Sequence, residues 1–256
     1  MMMETQMVKY DSENFDPESL SSNDIDYIQL KMIAGNSRVL EIGCATGFMS
    51  DYLRKEKNCF VYGVEYSKTQ AEVAQSKCDV LTQGSIEDSN VHKEIDEHVK
   101  LYGKFDVIFI SQVIEHLVSP NNILEKMKDW LDVDGSLIIS TVNVAHWESR
   151  IRLLKGVWEY SDYGLFDNTH LRFYTVNSLE KDLIRSGYII EDSGYNVVDF
   201  PPLFMIPVLN KITFIKVLDK LGIKNSKAKN WYINKFRNLL AFQFVFKVKL
   251  RSSSKV

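Results

Sequence analysis

Residues 39–48, VLEIGCATGF, place a carboxylate, Glu41, two positions ahead of a turn that holds Gly43 and Gly47. Gly43 permits a tight turn, and Gly47 lets backbone approach a ligand or a strand closely. A dinucleotide loop would carry G-x-G-x-x-G and set a pyrophosphate on the helix N-terminus that follows. A carboxylate beside the loop repels a pyrophosphate and suits a ligand bearing a cation. A second acid, Glu65 in VYGVEYS, ends the next β-prone run, where a carboxylate can accept both hydroxyls of a ribose. A cationic ligand that carries a ribose points to S-adenosylmethionine rather than NAD.

These acids need strands to end where they stand, and the pattern supplies them. Asn23 or Asp24 is placed to cap a helix running to about residue 34. Strands are predicted over 38–42, 59–64, 79–81, 105–110 and 136–141, with helices over 48–56, 68–77 and 89–101 between them. Ser119-Pro120 opens a further helix, a proline being tolerated at the first helical position, and Asp134-Gly135 is expected to close it. Strict alternation of this kind predicts a Rossmann-like α/β fold, a mostly parallel sheet with helices on both faces. Beyond it, 176–186 reads as a helix, 188–198 as a strand and 201–223 as one or two amphipathic helices. The run LAFQFVFKVKL, 240–250, reads as a last strand.

Composition bounds the class. The chain has 256 residues, 45% apolar and 25% charged, which suits one globular domain rather than a disordered chain. No apolar run approaches a membrane span, and the first residues show no secretory signal pattern. Three cysteines, Cys44, Cys59 and Cys78, show no metal-ligand spacing, so a cytoplasmic location without disulfides is expected. The net charge of −3 conceals an asymmetry: residues 211–256 carry twelve Lys/Arg against the single acid Asp219. That basic end suits an anionic partner, such as peripheral contact with a membrane surface, or is simply a solvated face. The acidic body offers no long basic groove, so no nucleic-acid partner is expected.

Four stretches, VLEIGCATGF, VYGVEYS, QGSIED and FDVIFISQVIEHL, occur in the order found in class I S-adenosylmethionine-dependent methyltransferases, which the chain resembles over about 38–141. The resemblance implies a seven-stranded sheet with an antiparallel last strand and S-adenosyl-L-methionine as cofactor. By position, it implies that Glu41, Gly43, Cys44, Ala45 and Gly47 line the methionine half. Glu65 would bind the ribose, Tyr66 would lie beside the adenine, Ser85 and Ile86 would flank it, and Ser111 would close the site. Two positions depart from the pattern. Ala45 stands where glycine is usual and is expected to keep a negative φ, and Ser85 stands where an acid is frequent. Cys44 is expected to pack rather than react.

The segment 142–175 is polar and aromatic and too long for a simple connection. It is similar to a branch of these enzymes associated with cell-surface sugar and polysaccharide biosynthesis. Asn143, His146, Trp147, Tyr163, Asp167, His170, Arg172 and Tyr174 fall within it, a mixture that suits a sugar-containing or other hydroxylated acceptor. An alcohol must lose its proton during methyl transfer, and His170 and His146 are the candidate catalytic bases. Arg150, Arg152 and Arg172 either grip a phosphate on the acceptor or are solvated charges. Glu115 and His116 are adjacent on an expected helix and share no face, so they make no chelate alone and no metal site is expected. The domain reading is a single methyltransferase domain over 1–256: an arm and helix (1–37), a cofactor core (38–141), an acceptor-side insertion (142–175) and a C-terminal part (176–256) with helical insertion near 201–238. A small aromatic or quinone-like acceptor, or a cofactor-binding module without turnover, stays open beside the sugar reading.

Overall fold

Alternation along the strands builds two cores, one on each face of one sheet. The computed structural model describes residues 15–198 and 227–251. Seven strands lie in the order β3-β2-β1-β4-β5-β7-β6: β1 (Arg38–Ile42), β2 (Phe60–Glu65), β3 (Val80–Gln83), β4 (Phe105–Ser111), β5 (Leu131–Val142), β6 (Tyr188–Val197) and β7 (Ala241–Leu250). Pairings from β3 through β5 are parallel, and β7 runs antiparallel to both β5 and β6.

Val39, Val61, Val107, Phe109 and Ile138 point to one face, where α1 (Ile25–Lys31) and α2 (Phe48–Lys55) cover them with Leu30, Met49 and Leu53. α3 (Lys68–Ala74) sets Ala74 against Cys44 and Cys78. Leu40, Ile42, Ile108 and Ile110 point to the other face, under α4 (Ser89–Tyr102), α5 (Pro120–Trp130) and α7 (Val176–Arg185), which contribute Ile95, Met127, Leu179 and Leu183. Each such buried side chain contributes about 1.5–3 kcal/mol. α6 (Trp147–Leu154) follows β5, and α8 (Lys227–Lys235) and α9 (Arg237–Leu240) precede β7.

The predicted end of α5 is corrected. The helix stops at Trp130, and Leu131 already pairs with Phe105, while Ser136 pairs with Val107. Asp132–Gly135 is therefore an irregularity inside β5 rather than a helix cap. The turn residues are real; what they interrupt is a strand. The predicted arm and helix over 1–37 are described only from Phe15, whose ring meets Phe48 at 4.9 Å. The amphipathic helices predicted over 201–223 lie outside the described residues. Among the described residues, no helix is long and apolar enough to cross a membrane. Part of the basic end pairs internally: Arg237 with Glu180, and Lys247 and Lys249 with Glu191 at 3.5 and 2.6 Å.

Candidate active site

The carboxyl ends of β1, β2, β4 and β5 converge on the loop after β1. Parallel register places Glu41 opposite Gly63 and Phe109, so the acid sits between β2 and β4. Glu41 is buried and accepts a hydrogen bond from the Ser50 hydroxyl on α2 at 2.5 Å. Burial, with smaller contributions from Cys78, Glu65 and Asp26, pushes its pKa up to about 8. Such a carboxylate regains its charge when a cation arrives.

Glu65 ends β2, also buried, and it organises the turn. Its two oxygens accept the Ala45 and Ser67 amides, each at 2.8 Å. Burial raises its pKa against these bonds. Each oxygen has a further lone pair for a hydroxyl. Ala45 does not keep a negative φ: it stands at +49°, in the left-handed region that costs an L-residue about 1–2 kcal/mol. Its amide is thereby aimed at Glu65, and that bond offsets part of the strain.

Gly43 and Gly47 have φ of 76° and 74°. A Cβ on Gly43 would lie 2.4 Å from Val113 Cγ2, and one on Gly47 would lie 3.2 Å from the Ala74 Cα. Gly43 thus brings the β4 side of the crevice against the loop, and Gly47 lets α2 start beside α3. The Cys44 side chain packs with Ala74 and Cys78 behind the loop, and the neighbouring Cys78 sulfur and burial push its pKa up, which suits packing rather than nucleophilic attack.

Other predicted cofactor residues sit around this crevice in different ways. Tyr66 projects from the end of β2, 76% exposed. Ser85 accepts the Glu87 amide at 3.2 Å in the turn before α4, while the Ile86 side chain is buried in the large core. Ser111 accepts from Gln29 at 2.9 Å and from the Ser140 hydroxyl at 3.3 Å. Gln29 escaped the sequence reading. It is fully buried on α1, donates also to Asp26 at 2.9 Å and accepts from Ser140 at 2.8 Å, so α1 closes over the ends of β4 and β5. A polar residue on an otherwise apolar stripe was the available signal.

On the insertion side, the two histidines part company. His146 is fully buried, caps α6 through Nδ1 by accepting the Glu148 amide at 3.4 Å, and is held down to a pKa of about 4 by burial. It serves as a helix cap, buried at the start of α6. His170 instead meets His116, ring centroids 4.9 Å apart at 65°. Glu115 and His116 lie in a 3-10 turn, Ile114–His116, rather than on an α-helix. The Glu115 backbone carbonyl accepts the Leu171 and Arg172 amides at 2.9 and 3.0 Å, which brings the 167–172 segment to this turn.

Most polar groups expected to bind a sugar are committed elsewhere. Asn143 donates to the Ala241 and Asn238 carbonyls at 2.7 and 3.1 Å, Arg150 to the Ala145 carbonyl at 2.7 Å, and Arg172 to the Val118 carbonyl at 2.5 Å. Arg152 pairs with Glu148 at 3.0 Å, and Asp167 accepts from Thr169. Trp158 stacks edge-on against Phe166 and Phe173, while Trp147 donates to the Val198 carbonyl at 3.0 Å. Tyr174 is buried and Tyr163 exposed. A separate open groove of about 690 Å³ is lined by Ser119, Asn122, Arg172, Ser178 and Asp182, and none of the strand-end acids lines it.

Residues 21–192 match the family model described as a methyltransferase domain. The ubiquinone biosynthesis O-methyltransferase of Actinobacillus pleuropneumoniae serotype 5b is 31% identical over 126 residues, 46% of this chain and 52% of that protein. The enzyme of the same name from Bradyrhizobium diazoefficiens is 28% identical over 160 residues, 62% of this chain and 60% of that one. The matched stretch thus spans about half to three-fifths of these curated relatives. A structure described as a SAM-dependent methyltransferase from Archaeoglobus fulgidus shares the fold with TM-score 0.54 and 20% identity, covering 87% of this chain and 89% of that one. With its strand order, its two strand-end acids and the match over most of its length, the chain belongs to the methyltransferase-domain family, the class I S-adenosylmethionine-dependent methyltransferases.

Proposed function

We propose that this protein transfers a methyl group from S-adenosylmethionine to a hydroxyl oxygen of a small, ring-bearing acceptor. The observation that carries the reading is the pair of buried strand-end acids, Glu41 and Glu65, flanking a loop whose backbone Glu65 holds in place. The crevice fits the cofactor: Glu41 is a desolvated carboxylate awaiting a cation, and Glu65 keeps lone pairs for two ribose hydroxyls. When bound, S-adenosylmethionine supplies an activated methyl on a positively charged sulfur, with a neutral thioether as leaving group.

The chain's own residues then align the methyl acceptor, and alignment supplies much of the rate in an in-line displacement. His170, beside His116 and tied to the Glu115 turn, is the histidine placed to deal with the hydroxyl proton. A phenolic or quinone-like acceptor is favoured by the names of the relatives and by the internal commitment of Asn143, Arg150 and Arg172. Nothing in the comparisons supports the sugar-containing acceptor. The test is to incubate the protein with labelled S-adenosylmethionine and matched panels of catechols, hydroquinones and hexosides. Label transferred to ring hydroxyls supports the reading; transfer only to hexosides, or cofactor binding without any transfer, overturns it.

A further inference from the structure

We infer that Glu115, His116 and His170 form a binding site for a divalent transition-metal ion of the zinc class. One ligand atom from each residue lies within 4.8 Å of the other two, close enough for a single ion to touch all three. Glu115 is 1% exposed, and neither of its carboxylate oxygens has a hydrogen-bond partner. The Thr141 hydroxyl and the Val142 amide lie on its side without meeting hydrogen-bond geometry. Among the described residues no lysine or arginine forms an ion pair with it. Left charged, a buried acid in that position costs several kcal/mol unless a cation meets it.

The histidines are set as ligands are set. The His116 Nδ1 faces the Thr169 carbonyl at 3.2 Å, and donation there leaves Nε2 as the lone pair. Thr169 is itself fixed by a hydroxyl bond of 2.6 Å to Asp167. The backbone bonds from Leu171 and Arg172 to the Glu115 carbonyl hold His170 to the same turn, so the site is built from segments some 55 residues apart. Two imidazoles and one carboxylate are the donor set of open zinc-type and 2-His-1-carboxylate sites, whereas Mg²⁺ and Ca²⁺ prefer oxygen ligands. Three protein ligands leave room for a further oxygen.

The site also follows directly on Val113, whose side chain packs over Gly43, so an ion there lies next to the loop after β1. Resting on the proposed function, this deepens it: His170 acts on the hydroxyl through the ion rather than as a free base. The ion orients the hydroxyl and lowers its pKa, the proton passes to solvent, and transfer then breaks the sulfur–methyl bond and forms the oxygen–methyl bond.

The experiment titrates Co²⁺ into the full chain and follows its ligand-field absorption, with Zn²⁺ as competitor and no methyl acceptor present. One equivalent of Co²⁺ is expected to bind, to be displaced by Zn²⁺, and to bind at least about 100-fold more weakly to Glu115→Gln and His170→Gln, more than the ~10–100-fold an outer partner costs. Calorimetric binding of S-adenosylmethionine is expected to persist in both variants. Should His170→Gln lose the fold, the near-isosteric Glu115→Gln decides alone. Spectra that stay those of hydrated Co²⁺ with the wild-type chain, or equal affinity in wild type and Glu115→Gln, overturn the inference. Because no turnover is read, failure here leaves methyl transfer standing, and failure of methyl transfer leaves the metal result standing.

Discussion

The Ala45 amide donates to the Glu65 carboxylate across 2.8 Å, so the acid that ends β2 holds the loop that follows β1. One side chain therefore shapes the crevice and faces the ligand. Glu65→Ala leaves the Ala45 and Ser67 amides without their partner, at about 1–3 kcal/mol of stability. Thermal unfolding is expected to show that loss and calorimetry at least a tenfold fall in cofactor affinity. Glu65→Gln, which keeps one accepting oxygen, is expected to lie between. Unchanged cofactor affinity in Glu65→Ala would remove this acid from the site.

Ala45 at φ +49° makes an opposite prediction. Glycine relieves the left-handed strain and keeps the amide that Glu65 uses, at some cost in unfolded-chain entropy. Ala45→Gly is expected to raise stability by about 0.5–1 kcal/mol in urea unfolding, with the slope unchanged. Destabilisation would mean that the alanine methyl makes a contact worth more than the strain.

Glu41 links folding, pH and ligand. Its pKa rises from 4.5 to about 8 on folding, through burial first. A group raised in this way contributes stability that is full below pH 4.5 and lost as pH climbs through about 8. Ligand-free protein should therefore lose stability from pH 5 to pH 8, and Glu41→Gln should flatten that slope while weakening cofactor binding. At pH 7 the acid is mostly protonated, so a cationic ligand expels a proton. Binding heats measured in buffers of different ionisation enthalpy should differ accordingly; identical heats would separate Glu41 from the cation.

His146 is predicted to matter for stability alone. Its pKa falls from 6.5 to about 4 through burial, so its contribution is present above pH 6.5 and lost as pH drops toward 4. His146→Asn keeps a side chain able to cap α6 and should soften acid unfolding, whereas His146→Ala should cost about 1 kcal/mol. The catalytic rate at pH 7 is expected to stay within about twofold in His146→Asn; a loss of orders of magnitude would return this residue to the chemistry.

Strands that are buried on both faces announced themselves through unbroken apolar runs, and Glu41 and Glu65 stood out as charges ending them. What depended on distant pairing did not. Asp132–Gly135 has the chemistry of a turn, and only the pairing of Leu131 with Phe105 makes it an interruption in a strand. Ala45 tolerates a positive φ because Glu65, twenty positions on, accepts its amide. Glu115 and His116 looked incapable of sharing a ligand because a helix was assumed; a 3-10 turn and a segment more than fifty residues away change that geometry. His146 and His170 are alike in one dimension, and burial and a helix cap set the first apart while the ring of His116 meets the second.

β6 finds its place in the sheet only through β7, which follows it in the chain and wedges in beside β5. On the ribosome, the five parallel strands and the crevice they carry can assemble before β7 emerges, while β6 waits as an unpaired edge. Closure of that edge accordingly depends on Ala241–Leu250 alone among the described strands. A nascent chain stalled before Ala241 would therefore present β6 as an unpaired edge open to aggregation.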